Sequence, residues 1–244
     1  GDVYKRQGVL QRVRAADVVY TDETGFRVDG RQYWVWAFTT TAETLVAVRK
    51  SRGRRVLSEV LGEDFKGTLV CDGWRSYPNF TNRIQRCWAH LLREAKYLGE
   101  RIDEAKPLSE ALHGLYSRLL AFVEDRPPPG EAMRLVEDAK STMAEWAEKP
   151  YETDEVRRLA TKIWNGIDHW FTFLAISGVE STNNRAERAL REQVVQRKIT
   201  GTLRNQKGTF IHETITTVLA TWKQLGLDLT KMLPTALSLK WQES

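Results

Sequence analysis

The first hundred residues read as three strands in succession, followed by strands alternating with helices, an order that few architectures accommodate. Residues 17–21 (DVVYT) have the make-up of a short buried strand, ended by Thr24-Gly25. Residues 32–40 (QYWVWAFTT) are aromatic and β-branched, which favours a second strand. Between them lies Val28-Asp29-Gly30-Arg31, and Asp-Gly is a hairpin signal. Residues 43–49 (ETLVAVR) make a third strand, and residues 53–61 space Val56, Leu57, Val60 and Leu61 at helical intervals. Residues 67–71 (GTLVC) form a fourth strand that stops at Asp72-Gly73. Residues 84–88 (IQRCW) form a fifth, which passes into a helix over residues 90–98. This succession predicts an α/β fold built on a mixed five-stranded sheet flanked by helices.

Residues 100–176 change character. They carry helical spacing, few β-branched residues, and a Pro127-Pro128-Pro129-Gly130 break between two helices. Leu108, Leu112, Leu115, Leu119 and Leu120 form one apolar stripe, read as core. The segment is therefore expected to be an all-helical insertion between a first core part, 15–99, and a second, 177–226. A helix is expected over 181–196 with Ser181 or Thr182 as N-cap, and a last long one over 207–225. Residues 227–244 read as a tail. Residues 1–14 read as a non-domain segment; Gly1–Gln7 has no apolar period, and the absent initial Met points to a piece of a longer protein.

Charge is unevenly spread. The net charge is +5, yet residues 100–170 hold 15 acids against 10 bases, so the remainder carries +10. Arg49, Lys50, Arg52, Arg54 and Arg55 form a run without an acid. Residues 181–208 place Arg185, Arg188, Arg191, Arg197, Lys198, Arg204 and Lys207 against only Glu187 and Glu192. Each run reads either as a solvated surface or as a phosphate-backbone footprint. Two cysteines, Cys71 and Cys87, cannot make a disulfide framework, which fits a reducing cytoplasm. No apolar run approaches the roughly 18 residues of a membrane span. There is no Walker loop, nucleophile elbow or dinucleotide fingerprint.

Chemistry concentrates in three acids. Asp22 and Asp72 follow the first and fourth strands, and ligands of open α/β sheets bind outside the carboxyl ends of strands. If those strands are neighbours the carboxylates meet, and such a pair needs a cation. Hard oxygen ligands suit Mg²⁺ or Mn²⁺. Glu23 competes with Asp22 but points to the opposite face; Asp22 shares its face with Val18 and Tyr20. Glu187 shares a helix face with Asn184 and Arg191, and could complete a metal site or simply pair with Arg191. Cys87 and His90 have the spacing of half a zinc site, with Cys71 and His113 as distant candidates for the rest. His90 could instead approach the carboxylates. Asp168-His169 reads as an interior pair.

Taken together, Tyr20-Thr21-Asp22-Glu23-Thr24-Gly25-Phe26, Cys71-Asp72-Gly73-Trp74-Arg75-Ser76-Tyr77, Cys87-Trp88-Ala89-His90-Leu91-Leu92-Arg93, and Asn183-Asn184-Arg185-Ala186-Glu187-Arg188-Ala189-Leu190-Arg191 with Arg197-Lys198 resemble the central domain of the insertion sequence 66 family of bacterial transposases. The resemblance spans residues 15–225. It implies a ribonuclease-H-like fold with Asp22, Asp72 and Glu187 as a catalytic triad holding two Mg²⁺ or Mn²⁺ ions, and a helical insertion before the last carboxylate. It implies DNA, both transposon ends and target, as partner, and a multimer on DNA with possible accessory proteins of the same element. Trp74, Tyr77, His90, Asn184, Arg188, Arg191, Arg197 and Lys198 match positions near the site or on DNA, with Trp74 or Tyr77 stacking on a base. The sequence departs from the family at Phe26, Glu192 and Ile199-Thr200-Gly201-Thr202. A nuclease or resolvase on the same fold, or an inactive DNA-binding remnant, are the other readings.

Overall fold

The computed structural model describes residues 2–125 and 128–238. Five strands, β1 (Val18–Val28), β2 (Arg31–Thr39), β3 (Thr44–Arg49), β4 (Thr68–Cys71) and β5 (Ile84–Arg86), form one mixed sheet in the order β3-β2-β1-β4-β5. The helices among the described residues are α1 (Asp2–Arg14), α2 (Arg54–Leu61), α3 (Trp88–Gly99), α4 (Lys106–Glu124), α5 (Pro129–Glu148), α6 (Asp154–Trp164), α7 (Thr172–Ala175), α8 (Asn184–Thr200), α9 (Gln206–Gln224) and α10 (Leu229–Ser238). This is the α/β arrangement of a ribonuclease-H-like fold. None of the described helices is long and apolar enough to cross a membrane. The chain divides into two compact units. One comprises Gly1–Leu69, Arg75–Asn82 and Asn183–Ser244; the other comprises Val70–Trp74 and Arg83–Thr182.

In the first unit, β1 and β2 are joined by Asp29 and Gly30, both at positive φ (53° and 69°), the two-residue turn whose twist suits a hairpin. The antiparallel register runs from Val28 opposite Arg31 to Tyr20 opposite Thr39. β1 is longer than its composition predicts. It continues through Thr24-Gly25 because β2 supplies partners from Tyr20 to Val28. Gly25 leaves room beside the Gln32 side chain, 3.3 Å from where a Cβ would stand, and its carbonyl accepts from Arg197. Alternation then sorts the faces. Phe26, Val28, Tyr33, Val35, Ala37, Val46 and Val48 pack with Leu190 of α8 on one side. On the other, Trp36 stacks on Phe38 and meets the edge of Tyr77.

The edge strand β3 is closed by side chains rather than by another strand. Glu213, Thr217 and Thr221 of α9 accept from the backbone N–H groups of Val48, Val46 and Thr44 at 2.6, 3.0 and 3.2 Å. Four residues of helix rise about 6 Å and two residues of strand about 6.7 Å, so the two rows stay in step over three contacts. An open edge would otherwise invite pairing with another chain.

Residues 2–14 do not stand outside the domain as expected. They form α1, with Val9 and Val13 buried. Arg6 pairs with Glu213 at 3.1 Å, and Arg14 caps the carbonyl end of α2 through Val60 and Glu59. Part of the expected tail forms α10.

The second unit is helical beyond β5, as expected of the insertion. Leu108, Leu112, Leu115 and Leu119 are buried, while Leu120 is exposed. α4 ends at Glu124 and α5 begins at Pro129, although Pro127 lies outside the described residues. Trp88 is a packing centre, with ring centroids 5.1 Å from Tyr116, 5.7 Å from Trp170 and 6.0 Å from Phe171. Its indole N–H donates to the Trp170 carbonyl at 2.6 Å. Asp168-His169 is not an interior pair: Asp168 is exposed and bonds Lys140 at 2.8 Å, which lowers its pKa, while burial lowers that of His169.

Candidate active site

Within the first unit, the sheet's alternation separates the two acids that compete at the start of β1. Glu23 lies on the Trp36 face and is fully enclosed. One carboxylate oxygen accepts from Arg52 at 2.6 Å, the other from the Tyr77 hydroxyl at 2.5 Å. Its two oxygens thereby tie β1 to the loop 75–82 and to the β3–α2 connection. Asp22 lies on the opposite, α8-covered face, half-buried. Its Oδ1 accepts from the Glu23 N–H at 2.9 Å.

α8 is registered on that same face. Asn183 takes the N-cap position expected of Ser181 or Thr182, but its side chain does not cap. Its amide instead donates to the Thr21 carbonyl at 2.9 Å, one residue from Asp22. The Arg185 guanidinium sits 5.4 Å from the Tyr20 ring. At the far end, Arg197 donates to the Gly25 carbonyl and to Thr24 Oγ1. The helix is thus pinned along β1 at both ends, and Glu187, in its first turn, is half-buried. Asn184, Arg188, Arg191 and Lys198 are exposed on it.

Two sequence expectations change here. Tyr77 cannot stack on a base, since it is buried in the core against Trp36. The Arg49–Arg55 run divides: Arg49 and Arg52 are held in ion pairs with partly buried or enclosed acids, while Lys50, Arg54 and Arg55 are exposed. Arg49 pairs with Glu59 and Glu213, Arg52 with Glu23, and Arg54 with Glu63. The acids that meet Arg49 and Arg52 come from α2, α9 and β1, and Arg54 meets Glu63 just beyond α2.

Within the second unit, Asp72 leaves β4 and its Oδ1 accepts from the Trp74 N–H at 2.8 Å, closing a tight turn around Gly73. An open cleft of about 390 Å³ surrounds it, lined by Gly73, Trp74, Arg86, His90, Arg158, Thr161, Lys162 and Asn165. Trp74 and His90 were expected near the site. Arg86, Arg158 and Lys162 were not singled out. Arg86 is buried at the end of β5, its guanidinium 5.6 Å from the Trp170 ring. Burial lowers its pKa, against the opposing pull of Cys71 and Asp72. A charge inside a buried strand was the available signal. For α6 it was a second helical period, opposite the buried Val156, Leu159, Ala160 and Ile163. Cys71 and Cys87 are both buried and free of a disulfide.

The transposase IS66 family model matches residues 6–210 of this chain. An uncharacterized protein of Sinorhizobium fredii, y4qI, is 26% identical over 258 residues, covering 90% of this chain and 47% of that protein. The chain therefore spans about half the length of that relative. No solved structure matches it.

Proposed function

Because the chain belongs to the IS66 family of transposases, we propose that it is the catalytic core of a DNA transposase, in which Asp22, Asp72 and Glu187 hold two divalent metal ions and DNA is both cut and joined. The observation that carries this reading lies in the first unit. The Asn183–Thr21 bond fixes the first turn of α8, with Glu187, on the face of β1 that bears Asp22. The strand order supports adding Asp72, since it directly follows β4, the neighbour of β1.

The donor set fits Mg²⁺ or Mn²⁺. It consists of carboxylates, which hard cations prefer, and the rival Glu23 is already consumed by Arg52 and Tyr77. Bound there, the ions would supply Lewis-acid activation of the attacking hydroxyl and stabilise the leaving 3′-oxygen. The chain's own residues do the rest. Asp22 and Asp72 act as ligands held by backbone N–H donors. Glu187 acts from a helix that cannot rotate, because its two ends are tied to β1. Arg188, Arg191 and Lys198, exposed on that helix, are free to meet phosphates, whereas Arg197 is committed to the Gly25 carbonyl. Trp74 is the remaining aromatic candidate for a base. The substrates are transposon ends and target DNA in the bacterial cytoplasm, bound by a multimer with possible accessory proteins of the element.

The test is Mg²⁺-dependent nicking of labelled DNA by the chain and by Asp72→Asn. Loss of nicking in the variant, with joining of a pre-cut end by the unaltered chain, is the expected result. Equal nicking by both proteins would remove Asp72 from the reaction. Nicking without joining would leave a nuclease.

A further inference from the structure

We propose that the cleft beside Asp72 binds a phosphodiester of a DNA strand, gripped by Arg158 and Lys162 of α6 with Arg86 behind them, so that the helical insertion is a DNA-positioning element. This rests on the transposase reading and adds to it a ligand for residues to which the triad gives no role.

The spacing is the first argument. Arg158, Thr161, Lys162 and Asn165 fall at i, i+3, i+4 and i+7, a single stripe of α6 and its C-cap, and all four line the cleft. A stripe of cations and polar groups opposite a buried apolar face is ordinary on a surface helix. Here it faces a concavity that also contains Asp72.

The second argument is charge. Arg86, Arg158 and Lys162 place three cations around one carboxylate in this cleft. Two of them reach the Asp72-Gly73 turn, since a Cβ at Gly73 would lie in ordinary contact with them, 3.6 Å from Lys162 Cε and 3.7 Å from Arg86 Nη1. Arg86 is the least hydrated of the three, and among the described residues its side chain donates to the Lys162 carbonyl, at 3.3 Å. A guanidinium withdrawn from water needs an anion nearby. Asp72 lines the same cleft without forming an ion pair with Arg86, so a phosphate oxygen entering there would supply the anion.

The remaining ion pairs do not close the site. Lys162 bonds Glu94 at 2.6 Å and Arg158 approaches Glu155 at 3.4 Å, but both acids are well exposed, at 39% and 50%. Exposed pairs of this kind contribute little and exchange readily for a stronger acceptor. Trp74 supplies an aromatic wall, and the cavity volume falls in the range of small-ligand sites, about 300–1,000 Å³. His90 comes from the first turn of α3, where the helix dipole favours an anion. The class of ligand is therefore a nucleotide unit within a strand, read without regard to base.

The experiment measures binding of the 244-residue chain to short fluorescent DNA strands by anisotropy, from about 50 to about 200 mM salt. The double variant Arg158→Gln/Lys162→Gln is expected to bind roughly tenfold more weakly. Its salt slope should be lower by about 1.4–1.8, and the loss should be equal on unrelated sequences. Arg158→Lys/Lys162→Arg, which keeps both charges, should retain the slope. Unchanged affinity and slope in the double variant would overturn the proposal. So would loss of dAMP binding with DNA affinity intact, which would assign the cleft to a free mononucleotide. Either outcome leaves the nicking test of Asp72 standing. If the unaltered chain neither bound nor nicked DNA, this proposal and the catalytic reading would both fall.

Discussion

Replacing Glu213 with alanine is expected to lower the melting temperature by about 6–12 °C, on the following grounds. The Glu213 side chain is 6% exposed and serves three donors at once. It accepts from the Val48 N–H at 2.6 Å and from Arg6 at 3.1 Å, and it pairs with Arg49. Removing one partner of a buried ion pair costs about 3–5 kcal/mol, mostly because the other charge is left buried and unpaired. Two features put this site at the lower end. Arg49 is 26% exposed and keeps Glu59 at 2.7 Å; Arg6 is 15% exposed. A loss of about 3 kcal/mol corresponds to roughly 6–12 °C for a protein of this size. Glu213→Gln keeps an acceptor for the Val48 N–H and loses only the charge, so it should fall between the unaltered chain and the alanine variant. Circular dichroism melts of the three proteins measure this. An alanine variant melting within about 2 °C of the unaltered chain would mean that the carboxylate is not what docks α9 and α1 on β3.

Four further outcomes follow from the same contacts. Asp22→Asn should abolish Mg²⁺-dependent nicking with little change in melting. Glu23→Gln should instead cost about 1–3 kcal/mol of stability, by weakening the links to Arg52 and Tyr77; the reverse pattern would exchange the roles of the two acids. Thr217→Val leaves the buried Val46 N–H without its 3.0 Å acceptor; about 1–3 kcal/mol should be lost in urea unfolding, and an unchanged midpoint would count against side-chain closure of the edge. Gly67→Ala would put a Cβ 2.4 Å from the Ala16 carbonyl, a backbone atom that cannot swing aside, so a loss of about 1–3 kcal/mol is expected, readable as reduced yield of folded protein or a lower melt. Burial holds the His212 pKa below its ordinary 6.5, where the ring stacks on Phe26 and bonds Gln193. The unfolded chain then binds the extra proton first, so this contribution is complete above about pH 6.5 and is lost as the pH falls below it. A His212→Gln variant should show a flatter stability profile between pH 7 and 5.

Much of the architecture was legible in the amino-acid order because strand and helix periods differ and turns have their own chemistry. Asp29-Gly30 set the hairpin, and with it which face of β1 each acid would take. The leucine spacing of 108–119 marked the insertion as helical and its stripe as core. Local pattern cannot state which distant groups satisfy a buried donor or charge, and the errors cluster there. Arg49 and Arg52 read as open cations because their acids lie on other elements. Tyr77 looked like a surface aromatic because nothing nearby shows that its hydroxyl reaches Glu23. Residues 2–14 looked dispensable because Arg6 finds its partner some two hundred residues away. The sequence by itself determined the succession of strands, the place of the hairpin turn and the set of candidate acids, all consequences of short-range sterics and periodicity. Only the tertiary structure decided that Glu23 is enclosed and bonded to Arg52 and Tyr77, that Asp22 lies on the opposite, α8-covered face, and that α9 closes the sheet edge. It also decided that the insertion brings Arg158 and Lys162 to Asp72. Each of these depends on which buried polar groups, far apart along the chain, meet after folding.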